Sequence, residues 1–125
     1  MTQPTQLLST LENYLKLTTT REQAISANMA NVDTPGYHTK DINFEGELNH
    51  AMNRVSLVSD EGSAGPQFTP AITEVRGLME RPDGNNVSLD REGLLLSQTQ
   101  LQYQIGVQLI KHQFHQILSA ISGGS

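Results

Sequence analysis

The stretch LDREGLLLSQTQLQYQIGVQLIKHQFHQILSAIS, Leu89–Ser122, decides the fold. Leu89, Gly93, Leu96, Gln100, Tyr103, Val107, Ile110, Phe114, Ile117 and Ile121 recur at alternating intervals of four and three residues without a break in phase. That alternation places them along one narrow stripe of an α-helix, the seam of a coiled coil. Ser88 supplies an N-cap oxygen, and Asp90 and Glu92 put carboxylates in the first turn, where they complement the helix dipole. A helix over Leu89–Ser122 is about 50 Å long at 1.5 Å per residue.

From Leu94 to the end of the chain Lys111 is the only charged side chain, with His112 and His115 beside it. The other positions hold Gln98, Gln100, Gln102, Gln104, Gln108, Gln113 and Gln116 among Leu94, Leu95, Leu101, Ile105, Leu109 and Leu118. A solvated helix face normally carries Glu, Lys and Arg, and a membrane helix does not carry so much Gln. These residues suit a helix covered on several sides by other protein, with amides free for interhelical hydrogen bonds.

Working outward, Leu8, Leu11, Leu15, Thr18, Glu22, Ile25, Met29 and Val32 follow the same alternation and predict a helix over Gln6–Val32. Its seam is narrow and interrupted by Thr18 and Glu22. Glu12 and Lys16 form an outward i,i+4 pair in the favourable order. Pro35 disfavours helical backbone at Thr34 and ends the helix by Asp33. Thr34-Pro35-Gly36-Tyr37 then fits a type II turn, with Pro at the second position and Gly supplying positive φ at the third. The predicted fold is mainly α, with two long terminal helices pairing as an antiparallel coiled coil. One partner helix covers one side only, so Leu94, Leu101, Ile105, Leu109 and Leu118 are expected to form an apolar patch that drives association.

Between the helices, residues 38–86 are polar and interrupted by Gly and Pro, and are expected to be partly disordered. Phe44, Leu48, Met52 and Val55 predict a short amphipathic helix, Ser59–Pro66 a mobile loop, and Ala71–Arg76 a possible short strand. Asp83-Gly84-Asn85-Asn86 is a strong turn signal before the last helix. The chain thus divides into 1–37 (helix and Thr-Pro-Gly-Tyr corner), 38–86 (variable middle) and 87–125 (C-terminal helix), together one domain. Gly123-Gly124-Ser125 plays no part in this reading.

Composition closes off several function classes. At 125 residues the chain is one domain. Lys plus Arg number 8 against 13 Asp plus Glu, a net charge of −5, which argues against neutralising nucleic-acid phosphates. Cysteine is absent, which removes disulfides, thiolate ligands and thiol nucleophiles. Hydrophobic residues are 36%, thin for a large private core. No stretch is long and apolar enough to span a bilayer, and the first residues lack the basic and apolar regions of a cleavable signal peptide.

Catalytic and metal chemistry find little support. His112 and His115 lie one turn apart, but no further ligands stand near them in sequence, and interfacial or capping roles suit them better. Asp83–Asn86 lacks the alternating oxygen ligands of a calcium loop. Asn86-Val87-Ser88 matches a short glycosylation sequon of the kind that arises by chance. No nucleophile elbow, phosphate loop or paired-carboxylate constellation is present. The expectation is a non-enzyme with no cofactor, no metal and no small-molecule substrate.

The segment Ser26–Tyr37 resembles the signature of flagellar rod, hook and hook-associated axial proteins, Ser-Asn-Ile-Ala-Asn-x-x-Thr-Pro-Gly-Tyr. Asn28, Ala30, Asn31, Thr34, Pro35, Gly36 and Tyr37 all fall in place, with Met29 where Ile is commoner. Lys40-Asp41-Ile42-Asn43-Phe44, Asp83–Val87, Leu101–Gln104, Phe114 and Ala120-Ile121 extend the likeness to rod members of that family. The resemblance implies a structural subunit of the bacterial flagellar basal body, exported through the flagellar type III apparatus and assembled into the proximal rod in the periplasmic space. It also implies partners: other rod subunits, the adaptor joining rod to membrane ring, and the export apparatus, without membrane insertion. Absent cysteines suit an oxidising compartment, and incompletely covered helices suit a chain that orders on assembly. In that picture the motif residues set how the middle leaves the coiled coil, whose seam is Leu8, Leu11, Leu15, Ile25, Met29, Leu96, Tyr103, Val107, Ile110, Phe114, Ile117 and Ile121. Competing readings are another rod or hook-junction protein, and a cytoplasmic coiled-coil adaptor or export chaperone.

Overall fold

A computed structural model describes residues 4–58 and 68–123. The elements run α1 Pro4–Ala30, β1 Lys40–Ile42, α2 Phe44–Val58, β2 Ile72–Glu74 and α3 Leu89–Ile121. The loop expected over Ser59–Pro66 lies outside the described residues.

The two long helices pair antiparallel. Asn28 near the end of α1 meets Glu92 at the start of α3, and Tyr14 and Leu15 meet Gly106 farther along. The residues of α3 that become buried are Glu92, Thr99, Gly106 and Gln113, an unbroken seven-residue repeat. A Cβ on Gly106 would lie 2.7 Å from Leu15 Cδ2 and 3.1 Å from Tyr14 Cδ1, so the helices touch most closely there and only glycine fits unadjusted. Two polar seam residues need no partner helix. Thr18 Oγ1 donates to Leu15 O at 2.7 Å and Thr99 Oγ1 to Leu95 O at 2.6 Å, each within its own helix.

This seam corrects the predicted one by a residue. On α3 the line Gly93, Gln100, Val107, Phe114 gives way to Glu92, Thr99, Gly106, Gln113. Leu96, Val107, Ile110 and Ile117 remain half-buried beside it. Tyr103, Phe114 and Ile121 are 43%, 53% and 74% exposed in the single chain, because the close approach at Gly106 leaves large side chains no room at the centre. On α1, Leu11 and Ile25 are buried and Leu8, Leu15 and Met29 half-buried.

The covered face of α1 is also wider than a coiled-coil stripe. Leu17, Ala24 and Asn28, one position before the predicted seam, are buried too. Leu17 joins Ile42, Ala51 and Phe68 in a small core against which Phe44 and Leu48 pack. The Tyr14 and Phe44 rings meet edge-on at 5.6 Å. The middle segment therefore folds back on α1, while Leu94, Leu101, Ile105, Leu109 and Leu118 of α3 stay exposed. β1 and β2 pair antiparallel with Ile42 opposite Ile72 and Lys40 opposite Glu74. The expected strand over Ala71–Arg76 is thus β2, and its partner β1 follows the corner.

Candidate functional site

Where α1 ends, the N–H groups of Asn31 and Val32 close its last turn on the Ala27, Asn28 and Met29 carbonyls, and the carbonyls of the corner beyond it must find donors elsewhere. Two segments far apart in sequence solve this together. Thr34–Tyr37 forms the turn: Tyr37 N–H donates to Thr34 O at 3.2 Å, and Gly36 takes φ 76°. Asn85 is fully buried beneath it, its amide donating to Asn31 O and Thr34 O, both at 2.9 Å. The Arg81 guanidinium donates to Val32 O, and to Val87 O at 3.3 Å. Gly36 N–H donates to Asp83 O at 2.9 Å, and Asn86 N–H to Tyr37 O at 3.3 Å.

The receiving segment is itself prearranged by side-chain turns. Asp83 Oδ1 accepts from Asn85 N–H at 3.0 Å and Asn85 Oδ1 from Val87 N–H at 2.8 Å. Asn86 Oδ1 accepts from Thr39 N–H at 2.7 Å, tying the strand β1 to the same loop. Ser88 then caps α3, its Oγ accepting from Arg91 N–H at 3.2 Å, as the sequence predicts. One segment, Arg81–Ser88, thus finishes one long helix and starts the other.

Asn28 is the junction of four parts of the chain. Its amide nitrogen donates to Lys40 O at 2.8 Å and to Glu92 Oε1 at 2.5 Å. Its Oδ1 accepts from Tyr37 Oη–H at 3.1 Å and Lys40 N–H at 3.0 Å. Every hydrogen-bonding site of the amide is in use. Beside it Arg21 grips Asp41 through two bonds, Nε–Oδ1 at 3.1 Å and Nη2–Oδ2 at 3.0 Å. Arg91 Nη2 stands 3.6 Å from the same carboxylate, so Asp41 links β1 to both helices. Glu92 is fully buried, and desolvation pushes its carboxyl above the ordinary range against the lowering influence of Asn28. Burial, followed by the nearby Glu92, also raises the Tyr37 phenol.

The motif residues therefore divide. Asn28 is buried and Asn31 and Tyr37 half-buried, holding the corner from inside, with Asn31 Nδ2 donating to Ala27 O at 2.8 Å. Ala30, Thr34, Pro35 and Gly36 face outward. Sequence reasoning missed Arg81, Asn85, Asn86 and Glu92 as parts of this clasp. Asn85 and Asn86 are legible only as part of the Asp-Gly-Asn-Asn turn and Glu92 only as a first-turn carboxylate, neither read as part of a receptor. Among the described residues no group of three or more His, Cys, Asp or Glu is placed to hold a metal, and no helix is long and apolar enough to cross a membrane.

No family model matches the chain. Curated relatives do. The chain is 32% identical to the flagellar basal body rod protein FlgB of Salmonella typhimurium over an alignment 126 positions long, covering 91% of each chain. To FlgB of Escherichia coli it is 30% identical with the same coverage. This chain belongs to the FlgB family of flagellar basal body rod proteins. Identity to FlgB of Bacillus subtilis is 26%, over 94% of each chain. The alignments with these FlgB relatives run nearly end to end, so helix pair, clasp and middle segment all fall within the compared length.

Proposed function

We propose that the chain is a structural subunit of the proximal flagellar rod, exported through the flagellar type III apparatus and assembled in the periplasmic space. The observation that carries this reading is the near full-length likeness to FlgB rod proteins. The exposed aliphatic residues of α3 support it physically, because a helix with Leu94, Leu101, Ile105, Leu109 and Leu118 in water favours burial against further helices. In this reading residues 1–37 and 87–125 supply the paired-helix layer, and 38–86 leaves it through the clasp at Asn28 and Pro35-Gly36. The motif residues Ala30, Thr34 and Pro35, exposed in the single chain, are offered to neighbours. Partners are other rod subunits, the adaptor and membrane ring at the rod base, and the export apparatus during delivery. The chain works by packing, without cofactor, substrate or nucleic acid.

The test is cross-linking in flagellated cells from a cysteine placed at the exposed Gln108. Adducts with other rod subunits are expected. Capture confined to cytoplasmic proteins, with none in isolated basal bodies, overturns the reading.

A further inference from the structure

We propose that Glu92 is a proton-operated latch: its carboxyl is held as the neutral acid while the start of α3 is docked on the end of α1, and loss of that proton loosens the docked end. This inference stands on the clasp geometry and does not depend on the assembly reading.

The geometry is that of a carboxyl group with too few donors. Glu92 is completely buried between the helices. Its Oε1 accepts from Asn28 Nδ2 at 2.5 Å and from Arg91 Nη1 at a long 3.4 Å, and its Oε2 is buried with no hydrogen-bond partner among the described residues. An ionised carboxylate has about four lone-pair sites to satisfy and bears a high cost when buried with most of them empty. The neutral acid bears much less.

Groups around it do not make good the shortfall. From α1, Arg21 commits both of its bonded nitrogens to Asp41. From α3 itself, Arg91 is divided, 3.4 Å from Glu92 Oε1 and 3.6 Å from Asp41 Oδ2, both longer than a charge-assisted hydrogen bond. From β1, the Asp41 carboxylate opposes a second negative charge, and the Lys40 ammonium lies over the Tyr37 ring at 5.9 Å. From the corner, the Tyr37 hydroxyl is directed to Asn28. Asn28 cannot turn to offer more, since both its amide hydrogens are already used. Desolvation is the largest influence on the group and raises its pKa, in keeping with this geometry.

The proton balance is simple. A carboxylate in the open chain takes one proton from solvent as the helix start docks, and returns it on opening. Glutamate in the open state ionises near its ordinary value of 4.5. Above that pH and below the raised value of the docked state, opening releases one proton, so docking weakens about tenfold per pH unit. Below 4.5 the dependence vanishes, and above the docked value the loss is complete.

Two measurements on the full chain test this. In wild type, the Glu92 carboxyl carbon followed by NMR should titrate above the other glutamates; titration among them overturns the latch. Amide exchange at Thr39 and Val87, whose N–H groups are sealed in the clasp, should lose protection about tenfold per pH unit across the window after correction for intrinsic rates. Glu92→Gln should abolish that slope and keep protection high. A slope that survives in Glu92→Gln belongs to another group and also overturns the proposal.

Discussion

Gly84 and Gly36 lie back to back. A Cβ built on Gly84 would stand 3.3 Å from the Gly36 Cα, and both residues take positive φ, 84° and 76°. The corner after α1 and the loop before α3 are thus packed backbone to backbone, sequence neighbours of neither helix seam but the hinge of both.

Substitution at the two positions should separate strain from collision. A Cβ at Gly36 meets nothing within 4 Å beyond its chain neighbours, so the main burden on Gly36→Val is its φ, at a cost of about 1–3 kcal/mol. Gly84→Val carries the same strain and also presses on backbone, which cannot yield as a side-chain tip can. Denaturant unfolding should therefore rank Gly84→Val as the more damaged. In cells, Gly36→Val should reduce incorporation into rods more than export; normal rods would refute the importance given to this turn.

What the sequence made legible was period, not phase. Counting leucines and isoleucines along Leu89–Ile121 predicts a helix with a coiled-coil repeat, and α3 has one. The line that becomes buried is set by close approach at Gly106 and by Thr18 and Thr99, whose hydroxyls are satisfied within their own helices. Neither property is visible in an apolar count, so Phe114 and Ile121 are expected inside and stand outside. The clasp was half legible for a different reason. Pro35 and Gly36 announce a turn by their own backbone preferences, whereas the bonds from Asn85 to Asn31 and Thr34 join residues no local pattern relates.

Asn28→Ala should cost roughly 3 kcal/mol of stability, because Glu92, Tyr37 and the Lys40 backbone all lose their partner in a buried setting. A double-mutant cycle with Glu92→Ala, which removes the accepting oxygen, should show coupling of about 1 kcal/mol or more. Independent effects in thermal or denaturant unfolding would mean the Asn28–Glu92 bond contributes nothing beyond proximity.

Gly106 tests the closeness of the helix pair. Gly106→Ala improves helix propensity by about 1 kcal/mol. Its new Cβ displaces the flexible end of Leu15, with the Tyr14 ring as the stiffer obstacle. The net change should fall within about 1 kcal/mol. Gly106→Leu has no such escape and must separate α1 from α3. A fall of roughly 3 kcal/mol is expected by denaturant unfolding, at the overpacking limit. Tolerance of leucine there would show that the seam is looser than its geometry.

The exposed aliphatics of α3 should matter for association and little for the single chain. Leu101 is 58% and Ile105 48% exposed, and neither contributes to the small core around Leu17. Leu101→Glu and Ile105→Glu should each change unfolding stability by no more than about 0.5 kcal/mol, the range of surface substitutions. The same changes place a charge in a helix that carries only Lys111 between Leu94 and its end. Any face that buries these positions against another subunit must then desolvate that charge, at a cost of several kcal/mol when it finds no partner. The expected pair of results is unchanged folding by circular dichroism and loss of incorporation into basal bodies. Motile cells with normal rods from the doubly substituted chain would show that this flank stays in water in the assembled structure. Equal loss of folding and incorporation would show that the residues support the chain itself.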